Sequence, residues 1–287
     1  MKKRVAIGYI FCEKKLGKDE EAFIKIAKKK KVDIILFNIS KNINEKELEE
    51  KAKKCDIVFN NSAEDFAYEI VKTIEELGKK VIDSSKTYYY LEDKWITFLK
   101  CHDHRIPAPD TILLSENINV AKYELLDFKK WPVILKRIEG CCGEYVEKAN
   151  DLDQAIKIIQ KFWKKGKDRI PIIAQEFVPS PSYRVTLIDN KIVQTAIKNG
   201  PGWKKTGVYE KNNKKFKVDK ELKEIIKKLM KVIKINVCGV DLLKRNNKWL
   251  VLEVNTTPGL DFFEDEREDL IEKIITLLIK LVKKRKN

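Results

Sequence analysis

The sequence predicts an α/β protein made of a parallel-sheet lobe followed by two α+β lobes, with boundaries near residues 90 and 172. Three observations predict it. The first ninety residues alternate strand and helix, a βαβ pattern that requires a parallel sheet covered on both faces. The middle of the chain reads as strand, glycine-bearing turn, strand and helix. The last third carries two hairpins, each followed further on by an amphipathic helix. With 43% hydrophobic residues among 287, the chain can bury a core large enough for two or three lobes.

Taken in order, "RVAIGYI" opens as a strand, followed by a helix over residues 20–30, the strand "VDIILFNI", a helix over 45–54, the strand "DIVFN", a helix over 66–77 and the strand "KVID". Phe66, Ile70, Ile74 and Leu77 fall on one face of that third helix and are expected in the core. The first turn lacks the G-x-G-x-x-G fingerprint, so this lobe is not expected to bind a dinucleotide in the usual way. A second lobe begins at "DKWITFLKCHDHRIPAPDTILL", where a helix must end before Pro107 and Pro109 and extended chain follows. "WPVILKRIEGCCGEYVEKA" reads as strand, turn and strand, and Asp151 then caps the helix "DLDQAIKIIQKFWKK". The third lobe opens with "IPIIAQEFV" and a hairpin that turns at Asp189 and Asn190. After a Gly- and Lys-rich loop, Leu222, Ile225, Ile226, Leu229, Met230 and Ile233 keep the 3.6-residue period. A final amphipathic helix has an apolar stripe that suits either its own core or a twin subunit, leaving a homodimer open.

The formal charge of +16 invites a nucleic-acid partner, but lysines occur in every segment intermixed with glutamate, as solvated helix faces do, so none is expected. No apolar run approaches the ~18 residues that span a bilayer, and the start is too charged for a signal peptide; a cytoplasmic protein with no membrane partner is expected. Six cysteines without C-x-x-C spacing read as small core or loop residues of a reducing compartment. Cys101, His102 and His104 lack the further ligands that a zinc site needs.

The chemistry points to "GVDLLKRNNKWLVLEVNTTPGL", where two apolar runs are each interrupted by a carboxylate. A hairpin centred on Asn247 sets Asp241 opposite Glu253, and Asn255 follows at i+2 on the same face. Val240, Leu242, Leu252 and Val254 then point into the core. Facing carboxylates repel unless a cation lies between them, and oxygen donors without Cys or His favour Mg2+ or Mn2+. Asp241, Glu253 and Asn255 are thus the candidate metal ligands.

The strand Asp, the hairpin and the closing "LEVNTTPGL" resemble the ATP-grasp superfamily of carboxylate-amine ligases, most closely the RimK-type glutamate ligases and LysX-type ligases. The resemblance covers nearly the whole chain. It implies an ATP-grasp fold: a Rossmann-like pre-grasp domain over residues 1–90, a central lobe over 91–172 and a C-terminal lobe over 173–287. Lys94 of "EDKW" and Lys136 of "VILK" match the family's phosphate-contacting lysines, and "GCCG", Gly140, Cys141, Cys142 and Gly143, matches its glycine-rich loop. Gln175, Glu176, Phe177 and Val178 match the segment that holds the adenine. Arg184 matches the arginine that steadies an acyl phosphate, while Tyr183 stands where a ribose-contacting acid is usual. The loop beginning at Lys198 departs from the family pattern, with Thr206 near an expected Asn; Lys198 and Lys205 are its candidate catalytic residues.

What the resemblance implies is an ATP- and Mg2+-dependent, ADP-forming ligase that activates a carboxylate as an acyl phosphate and joins it to an amine, with acidic or glutamyl-type substrates as the candidates, on a small molecule or carrier protein. A small-molecule kinase and a nucleotide-binding regulator on the same scaffold are the rival expectations. No nucleophile-base-orienter pattern calls for covalent catalysis by a side chain.

Overall fold

The computed structural model describes residues 4–140, 143–165, 169–198, 202–204 and 213–286. Three four-stranded sheets organise them. In the first, β1 (Ala6–Phe11), β2 (Asp33–Asn38), β3 (Ile57–Asn60) and β4 (Val81–Ile82) run parallel in the order β2-β1-β3-β4. Strand alternation sends Ile7, Tyr9 and Phe11 toward α1 (Lys18–Lys29), and Ile10 toward α2 (Glu45–Lys54) and α3 (Asp65–Glu76). At Gly8 a Cβ would lie 2.8 to 2.9 Å from Phe37, Cys55 and Val58, so the α2 side closes only over a glycine.

The buried face of α3 is Ala67, Ile70, Val71 and Ile74. Phe66 and Leu77, expected in that core, are 55% and 37% exposed, because the stripe that meets the sheet follows the i, i+3, i+4, i+7 row from Ala67.

The second sheet contains β5 (Thr111–Leu114), β6 (Val133–Arg137), β7 (Val146–Ala149) and β8 (Ile172–Glu176) in the antiparallel order β5-β8-β6-β7. One face buries Val133, Leu135 and Ala174 under α6 (Ile118–Phe128) and α7 (Leu152–Lys165), the latter capped by Asp151, which accepts from Gln154 N at 2.8 Å. The strand β8, grouped with the third lobe in the sequence, is hydrogen-bonded here between β5 and β6. We place the proposed lobe boundary after Glu176.

The third sheet holds β9 (Ser182–Ile188), β10 (Lys191–Lys198), β11 (Val237–Arg245) and β12 (Lys248–Asn255) in the order β10-β9-β11-β12. Positive φ at Asp189 and Asn190, and again at Asn246 and Asn247, makes two tight turns whose twist matches the strands they join. All six periodic apolar residues of α8 (Lys220–Ile233) are buried against this sheet. Leu91, from α4 (Ser85–Glu92), and Cys101, from α5 (Lys94–Asp103), share that core, so the segment opening the second lobe in sequence packs on the third sheet in space.

The last helix, α9 (Arg267–Lys286), returns to the first lobe, where Leu270, Ile271, Ile274, Ile275 and Leu278 are buried with Tyr9 and Phe23. Its apolar stripe is spent on its own chain. Asp83, at the end of the first lobe, accepts hydrogen bonds from Asn236 N at 3.0 Å and Val237 N at 3.1 Å and so ties the first lobe to the third. Among the described residues no helix is long and apolar enough to cross a membrane.

Candidate active site

The hairpin of β11 and β12 builds one wall of a cavity of about 220 Å3. Its turn occupies Asn246 and Asn247, pairing Arg245 with Lys248 and Leu242 with Val251. Unbroken pairing would next set Asp241 against Leu252. A β-bulge instead leaves Leu252 as the extra residue, and Asp241 faces Glu253, Val240 faces Val254 and Gly239 faces Asn255. The pairing inferred from a turn centred on Asn247 therefore arises by another route. Leu252, expected in the core with Val240, Leu242 and Val254, is half-buried and lines the cavity for the same reason.

The two acids are not equivalent. Asp241 accepts from Arg184 Nε at 2.5 Å and Nη2 at 3.0 Å, and Lys198 Nζ lies 2.8 Å from its Oδ1. Burial pushes this carboxyl up, but the guanidinium and ammonium outweigh it and hold Asp241 well below the ordinary carboxylate range. Asp241 therefore has its cations within the chain: Arg184 is its cross-strand neighbour on β9, and Lys198 reaches it from the end of β10. A Cβ at Gly239 would overlap Arg184 Nη1, so the guanidinium lies flat on bare backbone. Glu253 is half-buried and has no hydrogen-bond or ion-pair partner among the described residues. Asn255 Nδ2 is 3.5 Å from Asp241 Oδ2, which leaves its carbonyl oxygen uncommitted. An unpaired carboxylate, an amide oxygen and the free lone pairs of Asp241 form an all-oxygen donor set that fits a hard divalent cation.

The facing wall comes from β6, β8 and α5. Lys136 Nζ donates to Gln175 Oε1 at 2.9 Å, and Gln175 Nε2 donates to Thr111 Oγ1 at 2.9 Å. Burial lowers Lys136 to about 8; Glu253 and Asp241 oppose the shift, and Lys94 adds to it. Asp93 caps α5 by accepting from Trp95 N at 2.8 Å, which fixes Lys94, whose Nζ donates to Gly140 O at 2.7 Å. Gly140 and Gly143 have φ of +120° and +72°, conformations that suit glycine. Glu176 Oε1 accepts from Arg245 Nη1 at 2.6 Å and from Asp110 N at 2.9 Å. Phe177 lies under Lys148 Nζ at 4.4 Å and edge-on to Trp203.

Every expected site residue that falls among the described residues lines this one cavity. Cys141, Cys142, Lys205 and Thr206 lie outside the described residues. Tyr183 points the other way, edge-on to Trp249 with ring centroids 4.9 Å apart, as alternation from Arg184 demands. Sequence reasoning missed Glu92, Ser182, Trp203 and Leu243 on the lining. Of these only Glu92 carried a signal, two residues before Lys94. Its carboxylate accepts from Thr256 Oγ1 at 2.5 Å, and burial raises its pKa against the pull of Thr256 and Lys94.

Residues 91–278 match the RimK-like ATP-grasp domain. The coenzyme gamma-F420-2:alpha-L-glutamate ligase of Methanococcus maripaludis is 27% identical over 233 residues, covering 76% of this chain and 77% of the relative. The alpha-aminoadipate-LysW ligase LysX of Saccharolobus solfataricus is 30% identical over 194 residues, covering 64% and 68%. Among solved structures, a RimK domain ATP-grasp protein from Sphaerobacter thermophilus superposes with a TM-score of 0.73 at 13% identity, over 96% of this chain and 100% of that one. The D-alanine-D-alanine ligase of Bacillus anthracis gives 0.72 at 18% identity, over 98% and 99%.

Proposed function

The chain belongs to the RimK-like ATP-grasp family and is an ATP-dependent carboxylate-amine ligase; on that premise we propose that Mg2+ and ATP occupy the cavity and that an amino acid, glutamate first among candidates, is one of the molecules joined. One observation carries the reading: Lys94, Lys136, Arg184 and Lys198 converge with the unpaired Glu253 on one cavity that also has an apolar slot. With Lys204, five ammonium or guanidinium groups line a single hollow, which suits a polyphosphate.

In this reading Phe177 and Val178 border the adenine, the backbone at Glu176 to Val178 reads its edge, and the two glycines Gly140 and Gly143 let peptide N-H groups approach phosphate. Lys94 and Lys136 balance the charge that builds on the transferring phosphoryl group. Glu253 and Asn255, with Asp241, would hold the metal, which would supply charge neutralisation for the phosphates. The substrate carboxylate displaces ADP at the γ-phosphorus, and the amine nitrogen then attacks the carbonyl carbon and expels phosphate. The Arg184 fork, with Lys198, steadies the acyl phosphate until the amine arrives.

The test is ADP release screened against amino acids, γ-glutamyl compounds and cell extract, with products weighed by mass spectrometry. ADP formed only when acid and amine are both present, with a product equal to their sum less water, supports the reading. A stable phosphorylated product from one substrate would make the protein a kinase, and nucleotide binding without any product would make it a regulator.

A further inference from the structure

Two carboxylates line the cavity with no cation of the chain at ion-pair distance among the described residues: Glu253 and Glu92. In a chain of net charge +16 this is a conspicuous arrangement, because an ionised carboxylate partly out of water is costly until a cation meets it. Glu253 has its cation in the proposed metal, beside Asn255 and Asp241 on the hairpin. Glu92 sits elsewhere, at the C-terminal end of α4.

Its position is fixed. Thr256 has one hydroxyl hydrogen and donates it to Glu92 Oε1 at 2.5 Å. The other oxygen of Glu92 has no partner among the described residues. Lys94, Glu253 and Asp65 are the charged groups that act on it, and the Lys94 ammonium is engaged by Gly140 O. Fixed, acidic and open to the cavity, Glu92 is built for a cationic group that arrives with a substrate.

We propose that Glu92 receives the ammonium group of the acceptor amine and takes its proton before the nitrogen attacks the acyl phosphate, so that the amine docks at the end of the cavity bordered by α4, and substrates with a protonated amine are selected over neutral ones. The assignment rests on the ligase reading. It adds a specificity-determining residue of the second substrate to a site otherwise devoted to nucleotide and acid.

The full chain and its Glu92→Gln variant are compared using the acid found in the ADP-release screen, with two amines: the best amino acid of that screen, beginning with L-glutamate, and hydroxylamine, which is uncharged at neutral pH. The amide oxygen of glutamine can still accept from Thr256, so the fold is expected to survive. The KM for the amino acid rises roughly ten- to a hundredfold, the loss expected for one charge-assisted hydrogen bond. Hydroxamate formation and Mg2+-ATP affinity stay within about twofold. Should Glu92→Gln melt early, Thr256→Val, which frees the carboxylate but keeps its charge, raises the same KM by a smaller factor. An unchanged KM, an equal loss with both amines, or a loss of Mg2+-ATP affinity overturns the assignment and leaves the ligase reading standing. If wild-type protein forms neither amide nor hydroxamate with any acid, the ligase reading falls and takes this one with it.

Discussion

At the scale of single residues, the two hairpin acids behave as opposites. Asp241 neutralises Arg184 and Lys198 in a buried site, so Asp241→Asn leaves two cations uncompensated and is expected to cost about 3 kcal/mol of stability, read from denaturant unfolding. Because its folded pKa is depressed, that contribution is present in full above the unfolded carboxylate range, near pH 4, and is lost only as pH falls toward the folded value. Glu253→Gln removes no partner, so the apo melting temperature holds while Mg2+-nucleotide affinity drops by roughly thirtyfold, ~2 kcal/mol by calorimetry. Lys136, lowered to about 8, gives the same pH sign in a more alkaline window. Between pH 8 and the unfolded lysine value near 10.4, only the unfolded chain keeps the proton, so stability rises with pH across that window. Phosphate favours the charged ammonium, so nucleotide affinity falls by up to about tenfold per pH unit above 8, and Lys136→Met abolishes that dependence. Alternation along β11 and β12 made both acids legible in the sequence. The ion pairs of Asp241 were not, because Arg184 lies 57 positions away and meets it only through the pairing of β9 with β11.

At the scale of elements, caps, turns, periodic helices and the facing of Asp241 with Glu253 were readable, and the bulge that sets that pairing was not. Asp219 caps α8, accepting from Leu222 N at 2.8 Å, and its other oxygen accepts from Trp249 Nε1 at 2.8 Å. Asp219→Ala should cost about 2 kcal/mol, more than a cap alone, since it also strips the partner of a buried indole; differential scanning calorimetry would show it as a lower melting temperature. The α8 helix was visible because six apolar residues share one period. The β12 bulge was invisible, because the extra residue is an ordinary Leu252 between Val251 and Glu253 and nothing local marks it. The misplacement of Phe66 and Leu77 has a similar cause: several apolar rows run along α3, and only the sheet beneath it selects one.

For the whole molecule, the C-terminal helix does not stay with the lobe that precedes it. Ending the chain at Glu266 would uncover the first-lobe face against which Leu270, Ile271, Ile274, Ile275 and Leu278 are buried. Five such side chains at ~2 kcal/mol each approach the whole stability of a domain, so the shortened chain is expected to be insoluble, checked by fractionation after expression. The sequence by itself determined the elements, the parallel first sheet, the acid pair and the family signature, since these rest on periodicity and on spacings within about twenty residues. Only the tertiary structure decided that β8 joins the second sheet, that α5 and α9 pack on lobes other than their neighbours in sequence, that Arg184 and Lys198 pair with Asp241, and that Glu92, held by Thr256, lines the same cavity. Glu92 and Thr256 stand 164 positions apart, and no local pattern records which distant surfaces the chain must bring together to bury its apolar area.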